Sequence, residues 1–243
     1  MSSARGAGQA GSRRGRVRVL VILAVFFVAL AIVIVELSTE EGGPALIEVE
    51  GVNDAQRLFG GLGQEGDRLG DSDAPVTIQI FNDVQCDDCS EQFLETTPEL
   101  IEQLVRTGRA KLAYRHYSFS IRQIQEGFIG AKAAAAQDYE WNYIYLLFAN
   151  QEEGKRVGVD SEFLDAIAGA IQELEPALWQ EDFLEGSDPE SEITQELEEQ
   201  DRVARDLGLR AEPSAIVSGP GGTEVLQDSP DLEEILETVE QVE

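Results

Sequence analysis

Apolar and polar positions along the chain mark out its elements. An unbroken apolar run covers residues 19–35. Residues 76–81 (VTIQIF) form a short strand-like run, and a helix-like run follows from 86 to 108 with Pro98 inside it. Proline removes a backbone donor and clashes with the preceding turn, so a kink is expected near Thr97. Residues 110–117 (AKLAYRHY) predict a second strand, and residues 120–207 are helical in pattern. Within that block, 130–137 is alanine-rich and 139–150 is aromatic and apolar. Ser161 suits a cap for a helix through Ile171, and Asp188 followed by Pro189 suits the start of another ending near Gly208. That last helix carries Ile193, Leu197, Val203 and Leu207 as its apolar positions, opposite a wide acidic face expected to be solvated. Residues 214–218 and 223–226 flank a Gly-Pro-Gly-Gly hairpin signal, and a final amphipathic helix runs over about 230–242. The order is strand, helix, strand, helical block, strand, strand, helix. It predicts a βαβ unit and a ββα unit separated by a helical insertion, an α/β layer architecture.

The 17 residues of 19–35 sit at the short end of what spans a bilayer. Arg5, Arg13, Arg14, Arg16 and Arg18 precede the run, while Glu36, Glu40 and Glu41 follow it. Positive residues stay on the cytoplasmic side, so the expected topology is a single-pass anchor with the bulk of the chain outside the cell membrane. A cleaved signal peptide is the alternative; against it, the run is long and no A-x-A-like site follows directly. Arg13 and Arg14 resemble a twin-arginine signal, but the basic residues after them fit membrane-flanking charge better. The organisation expected is a cytoplasmic basic tail at 1–18, the anchor at 19–35, and a Gly-rich acidic linker at 36–70 with a short strand at 45–49. A domain at 71–243 follows, carrying the helical insertion at about 120–207.

The chain has 18 basic against 47 acidic residues, a formal net charge of −29. A surface of that sign repels nucleic acid, so no nucleic-acid partner is expected. Solubility or adaptation to high salt accounts for it most simply.

Two cysteines, Cys86 and Cys89, enclose Asp87 and Asp88 at the turn from the first strand into the first helix. A helix N-terminus offers unpaired N–H groups and partial positive charge, which stabilise a thiolate on the first cysteine. The second cysteine lies one turn on, within reach of a small disulfide ring, so the pair reads as a redox dithiol. Outside the cytoplasm a disulfide persists, and a lone pair there is either a structural clip or an active centre. A zinc site needs about four ligands, and the chain has one histidine, His116. Metal is not expected. His116 lies in the second strand and reads as a sheet residue before it reads as a catalytic base; Trp141 and Trp179 read as core.

Several stretches together resemble the DsbA-like branch of the thioredoxin superfamily over about residues 55–242. They are LGDSDAPV at 69–76 leading into FNDVQC at 81–86, the C-x-x-C, the Pro-containing helix, YRHYSF at 114–119, and GLRAEPS at 208–214. The resemblance implies a thioredoxin fold with a central mixed sheet and a helical insertion, here preceded by one transmembrane helix. It implies thiol–disulfide exchange on exported proteins, a membrane redox partner that recycles the dithiol, and no cofactor. Cys86 then resembles the nucleophile, Cys89 the resolving thiol, and Pro213 the cis-proline facing the disulfide. Two features depart from the family pattern. Asp87 and Asp88 stand where Pro with an aromatic residue or His is common, and Glu212 stands where Thr or Val precedes the cis-proline. With Asp83 nearby, four acids are expected around one thiol. They oppose a thiolate on Cys86 and predict a milder oxidant, or an isomerase or reductase. A degenerate, non-catalytic binding or scaffold module on the same fold is the competing reading.

Overall fold

The computed structural model describes residues 47–119 and 125–243. The expected tail at 1–18 and anchor at 19–35 lie outside the described residues. Among those described, no helix is long and apolar enough to cross a membrane.

The residues around Val76 form the centre of the sheet because both faces of that strand are covered. Strand β3 (Val76–Asn82) alternates buried and half-buried positions, then ends on three buried ones. It pairs in parallel with β4 (Ala110–His116) and antiparallel with β5 (Ser214–Gly219), which in turn pairs antiparallel with β6 (Gly222–Leu226). Among the described residues the sheet has six strands, ordered β1 (Gln64–Glu65), β2 (Arg68–Leu69), β4, β3, β5, β6, so it is mixed as expected.

Its two remaining strands come from the stretch read as a linker. Helix α1 (Val52–Phe59), β1 (Gln64–Glu65) and β2 (Arg68–Leu69) all fall inside 36–70, and β2 pairs antiparallel with β4. Ala55, Phe59 and Leu69 are buried, and the Phe59 ring meets Trp141 and Tyr145 at centroid distances of 6.5 and 5.9 Å. The Asn150 side chain also holds the backbone of Glu50, accepting from its N–H at 2.8 Å and donating to its carbonyl at 3.0 Å. The domain therefore begins before residue 71. Polar residues on the outer face of α1 conceal a short apolar face, and residues 47–49 take no strand.

Helix α2 (Asp87–Leu100) connects β3 to β4. It passes through Pro98 and continues as a π-helical turn, Ile101–Val105, where Arg106 N–H donates to the carbonyl of Ile101. The wider turn follows the donor that proline lacks. Phe93 of α2 stacks on Trp141 and also meets Phe148 and Tyr114, which ties α2 to the insertion.

The insertion has six helices among the described residues: α3 (Glu126–Ala135), α4 (Glu140–Ala149), α5 (Gln151–Val157), α6 (Ser161–Gly169), α7 (Pro176–Gly186) and α8 (Glu192–Asp206). Trp141 and Trp179 are both buried in it, as expected. A Cβ on Gly130 of α3 would stand 2.5 Å from the Tyr143 hydroxyl, so only glycine lets α4 approach this closely. Two caps differ from expectation. Asp160 and not Ser161 caps α6, its carboxylate accepting from the N–H groups of Glu162 and Phe163. Ser191 and not Asp188 caps α8, accepting from Thr194 N–H. In α8 the buried face is Thr194, Leu197, Gln200 and Ala204, while Val203 and Leu207 are exposed. Helix α7, with Pro176 in its first turn, has no counterpart among the expected elements. The chain ends on α9 (Leu232–Val242), capped by Asp231 and packed on β5 and β6 through Ile235, Val239 and Val242.

Candidate active site

The loop from β3 into α2 builds the site. Asp83 starts it: its carboxylate accepts from Gln85 N–H at 2.8 Å and its carbonyl from Cys86 N–H at 3.1 Å. That Asx turn reverses the chain so that Cys86 becomes the N-cap of α2. The Cys86 Sγ accepts the N–H of Cys89 at 3.1 Å, the place a Ser or Asp oxygen usually takes. Cys86 and Cys89 are joined as a disulfide. Their exposure is unequal: Cys86 is partly exposed and Cys89 fully buried. An attacking sulfur from outside therefore reaches Cys86 alone.

Asp87 and Asp88 occupy the exposed first turn of α2, where the helix dipole favours anions. Asp87 is not isolated. Lys155 of α5 contacts it at 2.6 Å and contacts Glu152 at the same distance, and these hydrogen bonds, Asp87's foremost, raise the Lys155 ammonium pKa. Another insertion residue, Gln151, donates its side-chain N–H to the carbonyls of Cys86 at 3.0 Å and Val84 at 3.3 Å. Neither Gln151 nor Lys155 carries a motif; both lie more than sixty residues from the dithiol in sequence, and only folding of the insertion brings them to it.

The second wall is the loop before β5. The Glu212–Pro213 peptide is cis, the isomer that X-Pro bonds reach at small cost. Phe81 of β3 pairs with Ser214 of β5, so this loop lies at the same end of the sheet as the Cys86 turn. Glu212 is half-buried, and its carboxylate accepts the N–H of Phe119 at 2.8 Å. Burial pushes its pKa up; the Phe119 N–H opposes, Asp83's charge adds, and Arg205 opposes. Asp83 is buried, its second oxygen accepting from Gln125 at 2.9 Å.

A family profile described as Thioredoxin matches residues 64–240. The chain belongs to the thioredoxin family. Disulfide bond formation protein D of Bacillus subtilis (strain 168) is 24% identical over 174 residues, which cover 71% of this chain and 74% of that protein. Among solved structures, oxidised BdbD from Bacillus subtilis superposes with a TM-score of 0.60 at 20% identity, covering 74% of this chain and 96% of that one. Chlamydia trachomatis DsbA gives a TM-score of 0.60 at 21% identity, covering 72% and 90%. The fold of this chain is thus DsbA-like.

The one histidine of this thioredoxin-family chain has a different setting from the dithiol. His116 is buried at the end of β4, its Nε2 2.7 Å from Glu140 Oε1. Glu140 also faces Lys132 at 3.9 Å, and Lys132 reaches Glu196 of α8 at 2.7 Å. Burial lowers the Lys132 pKa, but Glu140 and Glu196 outweigh it, and the net direction is upward. Gln200 of α8 accepts the backbone N–H of His116 at 2.9 Å. This buried polar chain fastens the insertion to the sheet. Among the described residues, no group of three or more His, Cys, Asp or Glu side chains is arranged to hold a metal ion.

Proposed function

We propose that this protein is a membrane-anchored, extracytoplasmic thiol–disulfide oxidoreductase acting on exported proteins through Cys86 and Cys89. The carrying observation is the asymmetric pair, with an accessible Cys86 capping α2 and Cys89 sealed beneath it. A client thiolate attacks Cys86 Sγ, the Cys86–Cys89 bond breaks, and Cys89 leaves as a thiolate. The client's second thiolate then attacks the client sulfur of the mixed disulfide and releases Cys86 as a thiolate. Two electrons pass from client to enzyme, and a membrane redox partner removes them to restore the disulfide. In the reverse sense, Cys86 attacks a client disulfide and Cys89 resolves the intermediate. The cysteines carry the electrons, so the chemistry requires no cofactor. Pro213 and Glu212 position the client peptide, because a cis peptide turns neighbouring backbone toward an extended chain.

The anchor rests on the apolar run at 19–35 with arginines before it and glutamates after it. The acids at the site favour a second reading of direction, as isomerase or reductase: Asp87 and Asp88 disfavour the Cys86 thiolate and so weaken the drive to accept electrons.

The test is reduction of insulin by dithiothreitol with wild type and Cys86→Ser. Wild type accelerates the reaction and the variant does not; equal rates would refute the enzyme. Cys89→Ser retains mixed disulfides and identifies clients by mass. Protease protection of the full chain in sealed membranes reports which side carries the domain.

A further inference from the structure

Beside the dithiol lies a cavity of about 340 Å³, near the lower end of small-molecule sites. Its apolar lining comes from Val84, Leu147, Val159 and Phe163. Gly154 forms part of the wall, and a Cβ there would meet Phe163 at 3.1 Å and Val159 at 3.2 Å. The cavity includes no residue of the Glu212–Pro213 loop.

Three polar lining residues tie this cavity to Cys86. Gln85 precedes Cys86 in the chain, Gln151 donates to the Cys86 carbonyl at 3.0 Å, and Lys155 contacts Asp87, the next residue, at 2.6 Å. The wall of the cavity therefore includes the chain neighbour of the cysteine that a client attacks.

Resting on the oxidoreductase reading, we propose that this cavity is a client subsite that takes a large aliphatic or aromatic side chain next to the client's reacting cysteine. The occupant follows from continuity. Any mixed disulfide fixes client backbone at Cys86, and an extended chain advances about 3.3 Å per residue. A side chain one or two positions from the client cysteine thus reaches the mouth, and its burial against four apolar residues favours binding. The Lys155 charge at the rim is already matched by Asp87 and Glu152, so the rim does not select a client carboxylate.

The experiment compares reduced two-cysteine peptides that differ only in having Phe, Leu, Ala or Asp beside the first cysteine. Each rate of oxidation by the full-length protein is divided by that variant's own rate with dithiothreitol, which cancels any general loss of redox activity. The expected ratio for Phe or Leu over Ala is about tenfold, the size of a pocket's discrimination between apolar groups. Val159→Trp, in the loop after α5, fills the cavity and brings the ratio to about one. Val159→Ala, which enlarges it, keeps a preference and shifts it from Leu toward Phe. Binding of the same peptides with Ser in place of Cys reads the cavity without chemistry, and it stands even if no exchange with dithiothreitol occurs, the result that would remove the oxidoreductase reading instead. Equal rates and affinities across the peptides, or a preference that Val159→Trp leaves intact, overturns the subsite. So does Val159-dependent binding of a lauryl detergent in the absence of any peptide preference, which would make the occupant an acyl chain.

Discussion

Lys155 of α5 grips Asp87, the residue immediately after Cys86, at 2.6 Å. The insertion thereby supplies a cation to the rim of a dithiol that its own sequence surrounds with acids. Lys155→Met removes that cation and frees Asp87. The Cys86 thiolate becomes harder to form, with a pKa higher by a few tenths of a unit, since exposed pairs interact weakly. Thiolate absorbance across a pH series measures it, and the gap between wild type and variant narrows in high salt. An unchanged or lower pKa in the variant would contradict the arrangement.

Neutralising the acids themselves acts in the opposite direction. Asp87→Asn with Asp88→Asn removes two anions from the first turn of α2 and lowers the Cys86 pKa by roughly a unit. The reduction potential of the pair rises by about 30 mV for each such unit, making a stronger oxidant. Equilibration with glutathione gives the potential. The variant also loses favourable charge at the helix N-terminus, so its stability falls by less than about 1 kcal/mol. A potential equal to wild type would show that these acids do not tune the sulfur.

Glu212 links stability to pH. Its folded pKa is raised, chiefly by burial. The stability linked to it is therefore fully present below the ordinary carboxylate value of about 4.3 and is lost as pH rises through the folded value. At neutral pH the wild type carries an anion that folding disfavours. Glu212→Gln keeps an oxygen to accept Phe119 N–H and removes the charge. It melts above wild type at pH 7, by an amount under about 1 kcal/mol because the group is half-exposed. The two proteins converge near pH 4. A variant less stable at pH 7 would mean that the Arg205 interaction dominates.

The buried chain through His116, Glu140 and Lys132 is expected to hold the insertion in place. Glu140→Ala leaves Lys132 with Glu196 alone and His116 without its partner, at a cost of roughly 3–5 kcal/mol. Chemical denaturation measures it, and a loss under about 1 kcal/mol would refute the role. Lys132 is raised above its ordinary value, so the stability it contributes is complete below about pH 10.4 and fades as pH climbs through the higher folded value.

Some of this was legible along the chain and some was not. Strands β3, β4 and β5 carry short apolar-rich stretches interrupted by single polar positions, and Cys86 and Cys89 sit at a strand-to-helix turn that fixes a helix N-terminus by local geometry. Their positions were readable because period and capping are short-range properties. Helix α1 and strands β1 and β2 look like linker in the sequence, since elements of two to eight residues in a Gly-rich acidic stretch leave too few apolar positions to show a period. Ser161 and Asp188 were plausible caps that lost to Asp160 and Ser191, because several adjacent side chains satisfy the same rule and packing of the following helix selects one.

The sequence by itself determined the dithiol, the α/β order and the cis-capable Pro213, since each depends on residues close together in the chain. Only the tertiary structure decided how that dithiol is surrounded. Gln151 on the Cys86 carbonyl, Lys155 on Asp87 and the cavity between Val84 and Phe163 all join residues distant in sequence. Such contacts leave no periodic signal, because they arise when the insertion docks on the sheet and not when its helices form.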